Sequence, residues 1–120
     1  MFTKELGKLL GITESPKFTP RQRETLYGTA YAFYQTSDYA RAADIFTLLI
    51  CYDPFDDRFW KGLASCRQME KDYAAALRAW SVFCTISSER KEGFFHVSEC
   101  FLSLGKLKEA EKALTLCEAK

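Results

Sequence analysis

Apolar and polar residues along this chain follow the spacing of short amphipathic helices. Phe2, Leu6, Leu9 and Leu10 share one side at i, i+4, i+7 and i+8, with Gly11 placed to close a first helix. Residues 12–18, which include Ser15-Pro16, read as a linker. Thr19-Pro20-Arg21-Gln22 is a helix start: Thr19 as N-cap, Pro20 at the first helical position and Gln22 reaching back in a capping box. From there the pattern predicts helices near 20–36, 39–52, 57–70, 73–86, 91–104 and 107–118. Asp53-Pro54 ends the second of these and Asp56 caps the third. Ser87-Ser88 marks a later turn, and Gly105 permits a tight one between the last two helices. No strand-like alternation and no low-complexity tract interrupts the series.

These helices repeat one another every 34 residues. Tyr39, Ala42, Phe46 and Leu49 recur as Tyr73, Ala76, Trp80 and Phe83, then as Leu107, Ala110, Leu114 and Cys117. Upstream, Leu26, Trp60 and Phe94 match, as do Thr29, Leu63 and Val97, and Ala30, Ala64 and Ser98. That period, with a large apolar residue, a small one and then an aromatic at fixed offsets, resembles the tetratricopeptide repeat. The resemblance implies an all-α fold: three tandem helix-turn-helix repeats in a short right-handed solenoid with a concave peptide groove, plus the short N-terminal helix. Residues 1–18 then form an N-terminal helix and linker, and 19–120 a repeat domain with repeats at about 23–56, 57–90 and 91–120. The outer face of a last repeat is apolar, so cover from the N-terminal helix, a second copy in a homodimer, or a partner is expected.

Composition narrows the function. Lys and Arg number 17 against 16 Asp and Glu, so net charge points to no nucleic-acid partner. The apolar content of 48% argues for a packed domain, and no run is long enough to insert into a membrane. Without a signal-peptide pattern, a cytoplasmic location is expected. The five cysteines include no CxxC pair, and Cys66 and Cys100 share one repeat slot, filled by Ala32 in the first repeat. They read as reduced, small core residues rather than metal ligands or disulfides.

Candidate chemistry is sparse. The one histidine, His96, lies in a mixed helix face without the convergent titratable groups of an acid–base site. The six glycines form no phosphate loop, and Asp56-Asp57 fits helix capping better than cation binding. No catalytic residue, cofactor or metal is expected, and the chain reads as a binding protein. In tetratricopeptide repeats the first helix of each repeat lines the concave side, at offsets one, five and eight after its opening apolar residue. Here those are Tyr27, Tyr31 and Tyr34, then Lys61, Ser65 and Gln68, then Phe95, Glu99 and Leu102. Three tyrosines at i, i+4 and i+7 form one stripe, flat and apolar with polar tips, suited to an extended peptide. Tyr31 stands where a carboxylate clamp would use Asn, so a free C-terminus is not the expected ligand.

Three blocks resemble a narrower family. Asp57-Arg58-Phe59-Trp60-Lys61-Gly62-Leu63-Ala64-Ser65-Cys66-Arg67-Gln68 is similar to the D-S-R-F-x-x-G-L-G-A-C-R-Q block of class II type III secretion chaperones. Leu26-Tyr27-Gly28-Thr29-Ala30-Tyr31 resembles their entry to the first repeat. Phe95-His96-Val97-Ser98-Glu99-Cys100-Phe101-Leu102, followed by Gly105-Lys106-Leu107-Lys108-Glu109-Ala110-Glu111, resembles their third repeat. The resemblance implies a non-enzymatic bacterial cytosolic chaperone that holds an extended apolar segment of a secreted translocator before export. It adds Tyr39 and Tyr52 to the groove aromatics. A needle subunit or effector of the same system as client, or a role as scaffold or regulator of secretion, are the alternatives.

Overall fold

The computed structural model describes residues 17–119, so the helix expected at Phe2–Leu10 lies outside the described residues. Six helices follow in order: α1 (Pro20–Gln35), α2 (Tyr39–Tyr52), α3 (Asp57–Met69), α4 (Tyr73–Ile86), α5 (Arg90–Ser103) and α6 (Leu107–Glu118). Every boundary falls within one residue of the sequence expectation. The fold is all-α, a stack of helical repeats in which each helix packs on its neighbours in the chain.

The caps explain why the boundaries were legible. Thr19 Oγ1 accepts from the Gln22 amide at 3.1 Å, and Gln22 Oε1 accepts from the Thr19 amide at 2.9 Å. Asp56 Oδ1 accepts from the Arg58 amide at 3.1 Å, which starts α3. The tight turn within each repeat uses one left-handed residue, and these too are a period apart: Ser37 (φ 65°), Lys71 (φ 65°) and Gly105 (φ 75°). Each turn is then closed by the next amide, from Asp38 to Phe33 O, Asp72 to Arg67 O and Lys106 to Phe101 O, at 2.8–2.9 Å. Non-glycine residues in this conformation cost about 1–2 kcal/mol, so only repeat three has the unstrained residue. Repeats one and two are compensated at the following position. Asp38 and Asp72 accept from the amides of Arg41 and Ala75 at 3.3 and 3.2 Å, whereas Lys106 caps nothing.

Two apolar clusters form the core. Ala30, Ala42, Phe46, Leu49, Ile50, Phe59 and Cys66 make the first, and Ala64, Ala76, Trp80, Phe83, Val97, Cys100 and Ala113 the second. Trp60 and Leu63 on α3 touch both, so the second repeat's first helix joins the clusters. Burial tracks position in the stack. Phe46 and Trp80 are buried, but Leu114 in the same slot is 43% exposed, and Leu107 is exposed beside it. At the other end Ala32 is exposed, unlike Cys66 and Cys100 in its slot. The expected small buried residue is needed only where another repeat packs, and among the described residues none packs on that side of α1.

Cys51, Cys66, Cys84 and Cys100 are buried free thiols, and Cys117 is half-buried, its thiol donating to Lys91 O at 3.3 Å. Burial pushes the Cys66 thiol up to about 12 and the Cys100 thiol to about 11, and raises Cys51 and Cys84. Thiolates react and thiols do not. An alkylating reagent at pH 8 should therefore label Cys117 quickly and the other four only after denaturant. Mass spectrometry of a time course reads this directly, and two or more fast labels would contradict the packing.

Candidate functional site

The first helix of each repeat, α1, α3 and α5, carries the expected groove residues. On α1 the stripe is continuous: ring centroids of Tyr27 and Tyr31 lie 6.4 Å apart, Tyr31 and Tyr34 6.3 Å, and Tyr34 and Tyr39 5.4 Å. Tyr39 comes from the start of α2, its hydroxyl donating to Ser37 Oγ at 3.4 Å. A cavity of about 190 Å³ opens beneath this row. Its walls are Tyr27, Tyr31 and Tyr34 on one side and Arg58, Lys61 and Ser65 on the other, with Phe46 and Gly62 as floor.

Gly62 has a steric reason to be there. A Cβ at this position would collide with the Phe46 ring, so a glycine in α3 lets that ring reach the cavity floor. Tyr27 sits edge-on to Phe46, with centroids 6.1 Å apart, and 6.1 Å from Phe59. Desolvation raises the Tyr27 and Tyr34 phenols above their usual range, so both hydroxyls remain proton donors at neutral pH. The chamber is thus walled by aromatic rings, of which Tyr27 and Tyr34 keep their phenolic protons.

The cations at the mouth are paired. Arg58 binds Glu24 and Asp56, and Lys61 Nζ lies 3.0 Å from Glu92 Oε1. Arg58 holds the Glu24 carboxyl below its usual range, chiefly through their hydrogen bond. That contribution is complete above the ordinary carboxylate value and is lost as pH falls through the lowered one.

Farther along, Gln68 and Glu99 meet each other. Gln68 Nε2 donates to Glu99 Oε1 at 3.1 Å, and Gln68 Oε1 accepts from Trp80 Nε1 at 2.9 Å. Glu99 Oε1 also accepts from His96 Nδ1 at 2.6 Å, and the His96 ring lies flat on Trp80 at 4.3 Å. The four side chains close a ring that ties α3, α4 and α5 together. Gln68 is therefore engaged within the protein, and Glu99 keeps its second oxygen for other donors. Phe95 and Leu102, about half exposed, form an apolar shelf on α5.

The structure brings together Tyr27, Tyr31, Tyr34, Lys61 and Ser65 around one cavity and adds Tyr39 at the end of the row. Tyr52 does not join them. It ends α2 with its ring 5.5 Å from Phe18 and under the Arg23 guanidinium, because the segment entering α1 packs there. Phe46, Gly62 and Arg58 were missed. Arg58 had a signal: it shares a repeat slot with Glu24 and Glu92, an acid–base–acid series at 34-residue spacing.

Residues 24–56 match the tetratricopeptide repeat family model. The chain is 36% identical over 95 residues to low calcium response locus protein H of Yersinia pestis, covering 79% of this chain and 56% of that protein. It thus spans about half the length of such curated relatives. Among solved structures, the Yersinia enterocolitica type III secretion chaperone SycD, in complex with a peptide of the translocator YopD, superposes with a TM-score of 0.81 at 33% identity, over 86% of this chain and 79% of that one. PcrH, in complex with the chaperone-binding region of PopD, gives 0.82 at 30% identity, over 87% and 78%. On the matched repeat, the shared solenoid and this identity, the chain belongs to the class II type III secretion translocator chaperones, a tetratricopeptide-repeat family.

Proposed function

We propose that this chain holds a secreted translocator in the bacterial cytoplasm before export, by seating an extended apolar segment of the client along the row Tyr27–Tyr31–Tyr34–Tyr39. The aromatic-walled cavity carries this reading. It is large enough for one aliphatic side chain, whose burial is worth about 1.5–3 kcal/mol. SycD bound to a peptide of YopD, and PcrH bound to its client region, support the same role here. Lys61 and Ser65 complete the cavity wall opposite the tyrosines, and Phe95, Glu99 and Leu102 extend the track along α5. Function then rests on holding: apolar client surface is kept from aggregating and the client stays unfolded enough to be exported. A half-exposed tyrosine row suits an extended backbone, since hydroxyls and the free Glu99 oxygen can meet its amides while the rings meet alternate side chains. Among the described residues no helix is long and apolar enough to cross a membrane.

Overlapping peptides spanning the translocators of the source bacterium, titrated calorimetrically into the chain, test this. One segment with an aliphatic anchor should bind, and replacing that anchor by Asp should abolish the heat. If no translocator segment binds, while a needle subunit or effector does, the client assignment is wrong.

A further inference from the structure

The most connected side chain at the groove is one that the tyrosine stripe does not contain. Arg58 donates from Nη1 to Glu24 Oε1 at 3.1 Å and from Nη2 to Glu24 Oε2 at 3.2 Å, a bidentate fork reaching from α3 to α1. It also donates from Nε to Asp56 Oδ1 at 3.1 Å and from Nη2 to Asp56 Oδ2 at 2.9 Å. The guanidinium carbon lies 4.6 Å from the Tyr27 ring centroid and 5.4 Å from that of Phe59. Asp56 is itself the N-cap of α3, so one side of the fork is anchored to the start of its own helix. Only the Glu24 side crosses between repeats.

We propose that Arg58 is the positioning residue of the groove: by bridging Glu24 on α1 to Asp56 on α3 and lying over Tyr27, it sets the separation of the two helices and holds the socket open in shape before a client arrives. The proposal rests on the client-holding reading for its consequence, though its geometry stands without it. Two carboxylates balance the Arg58 charge and Glu92 balances Lys61. Among the described residues that line the cavity, neither cation is left unpaired for an acidic client; Arg58 acts through Tyr27. Preorganisation of this kind raises affinity by removing ordering that binding would otherwise require. Lysine cannot substitute, because a point ammonium lacks the planar fork that spans two carboxylates and stacks on a ring. The side chain is 38% exposed, so the clamp is a minor contributor to folding.

Arg58→Lys and Glu24→Gln in the full chain separate these roles. Each should weaken the client peptide about tenfold. Their thermal midpoints should stay within a few degrees of wild type. The double variant should bind no worse than either single one, since both remove the same bridge. A charge swap, Glu24→Arg with Arg58→Glu, should not restore affinity, because a glutamate at 58 can neither stack on Tyr27 nor bind Asp56. A second readout needs no client: ring signals of Tyr27 in tyrosine-labelled protein should shift in Arg58→Lys, and those of Tyr73 should not. Unchanged affinity together with unchanged Tyr27 signals would overturn the positioning role. If wild type binds no translocator segment, the function fails, and the ring signals alone still decide the clamp.

Discussion

Trp80→Ala should lower the stability of this chain by roughly 3–5 kcal/mol, the usual cost of emptying a buried aromatic site. Trp80 is 1% exposed and lies in the cluster that α3, α4, α5 and α6 share. Its ring stands edge-on to Phe83 at 5.4 Å and face-on to His96 at 4.3 Å. Removing it also leaves Gln68 Oε1 without its indole donor. In a stack of repeats, stability is close to a sum of repeat and interface contributions. The loss therefore falls on one interface, and α5 and α6 should melt before α1 and α2. Denaturation followed by circular dichroism should show an earlier, broader transition, with the midpoint lowered by about 10–20 °C. Trp80→Phe keeps most of the packing and loses the hydrogen bond, so it should cost about 1–2 kcal/mol. The same slot one repeat later supplies a control. Leu114 is 43% exposed, and Leu114→Ala should cost under about 1 kcal/mol. A Trp80→Ala protein within 1 kcal/mol of wild type would mean that the second cluster does not couple the repeats.

That contrast between Trp80 and Leu114 also shows what sequence could reveal. Period and caps were enough for the helices, because Thr19, Pro20, Gln22, Asp53-Pro54 and Asp56 carry their local meaning wherever they stand. The tyrosine stripe was legible for the same reason: residues at i, i+4 and i+7 share a face of one helix. The cavity floor was not. Phe46 falls in the slot of Trp80 and reads as core; that its ring is visible from the groove depends on Gly62, which lies on another helix. Gln68 and Glu99 read as free groove residues until α3 and α5 are brought together, whereupon Gln68 is engaged at both ends of its amide and Glu99 keeps one oxygen. Tyr52 belongs by slot to a helix end, and only the packing of Phe18 decides which side of that end it covers. The left-handed residues lie between these cases. Gly105 announces itself, and the period then points to Ser37 and Lys71, whose side chains give no hint.

Changing Tyr27, Tyr31 and Tyr34 together to Ala should abolish client binding while leaving the chain helical. The three rings make the wall of the cavity, and alanine at all three opens it to solvent on that side. Tyrosine anchors at interfaces are worth about 2 kcal/mol or more each, and the effects of neighbouring rings do not add. A loss of at least about thirtyfold in affinity follows from the first anchor alone. The cost to folding is smaller than for Trp80, because Tyr31 is 48% exposed and Tyr34 is only partly buried. Alanine also has the better helix propensity, which offsets several tenths of a kcal/mol per site. Most of the destabilisation should come from Tyr27, which alone of the three packs on Phe46 and Phe59. Single variants then separate two sources of affinity. Tyr31→Phe keeps the ring and removes the hydroxyl, so binding within about threefold of wild type would assign the energy to the aromatic face. A large loss would assign it to a hydrogen bond with the client backbone. A folded triple variant that still binds its translocator segment with wild-type affinity would place the client somewhere other than this row. A variant that loses both binding and helicity would leave Tyr31→Ala, the most exposed of the three, to carry the test at a single site.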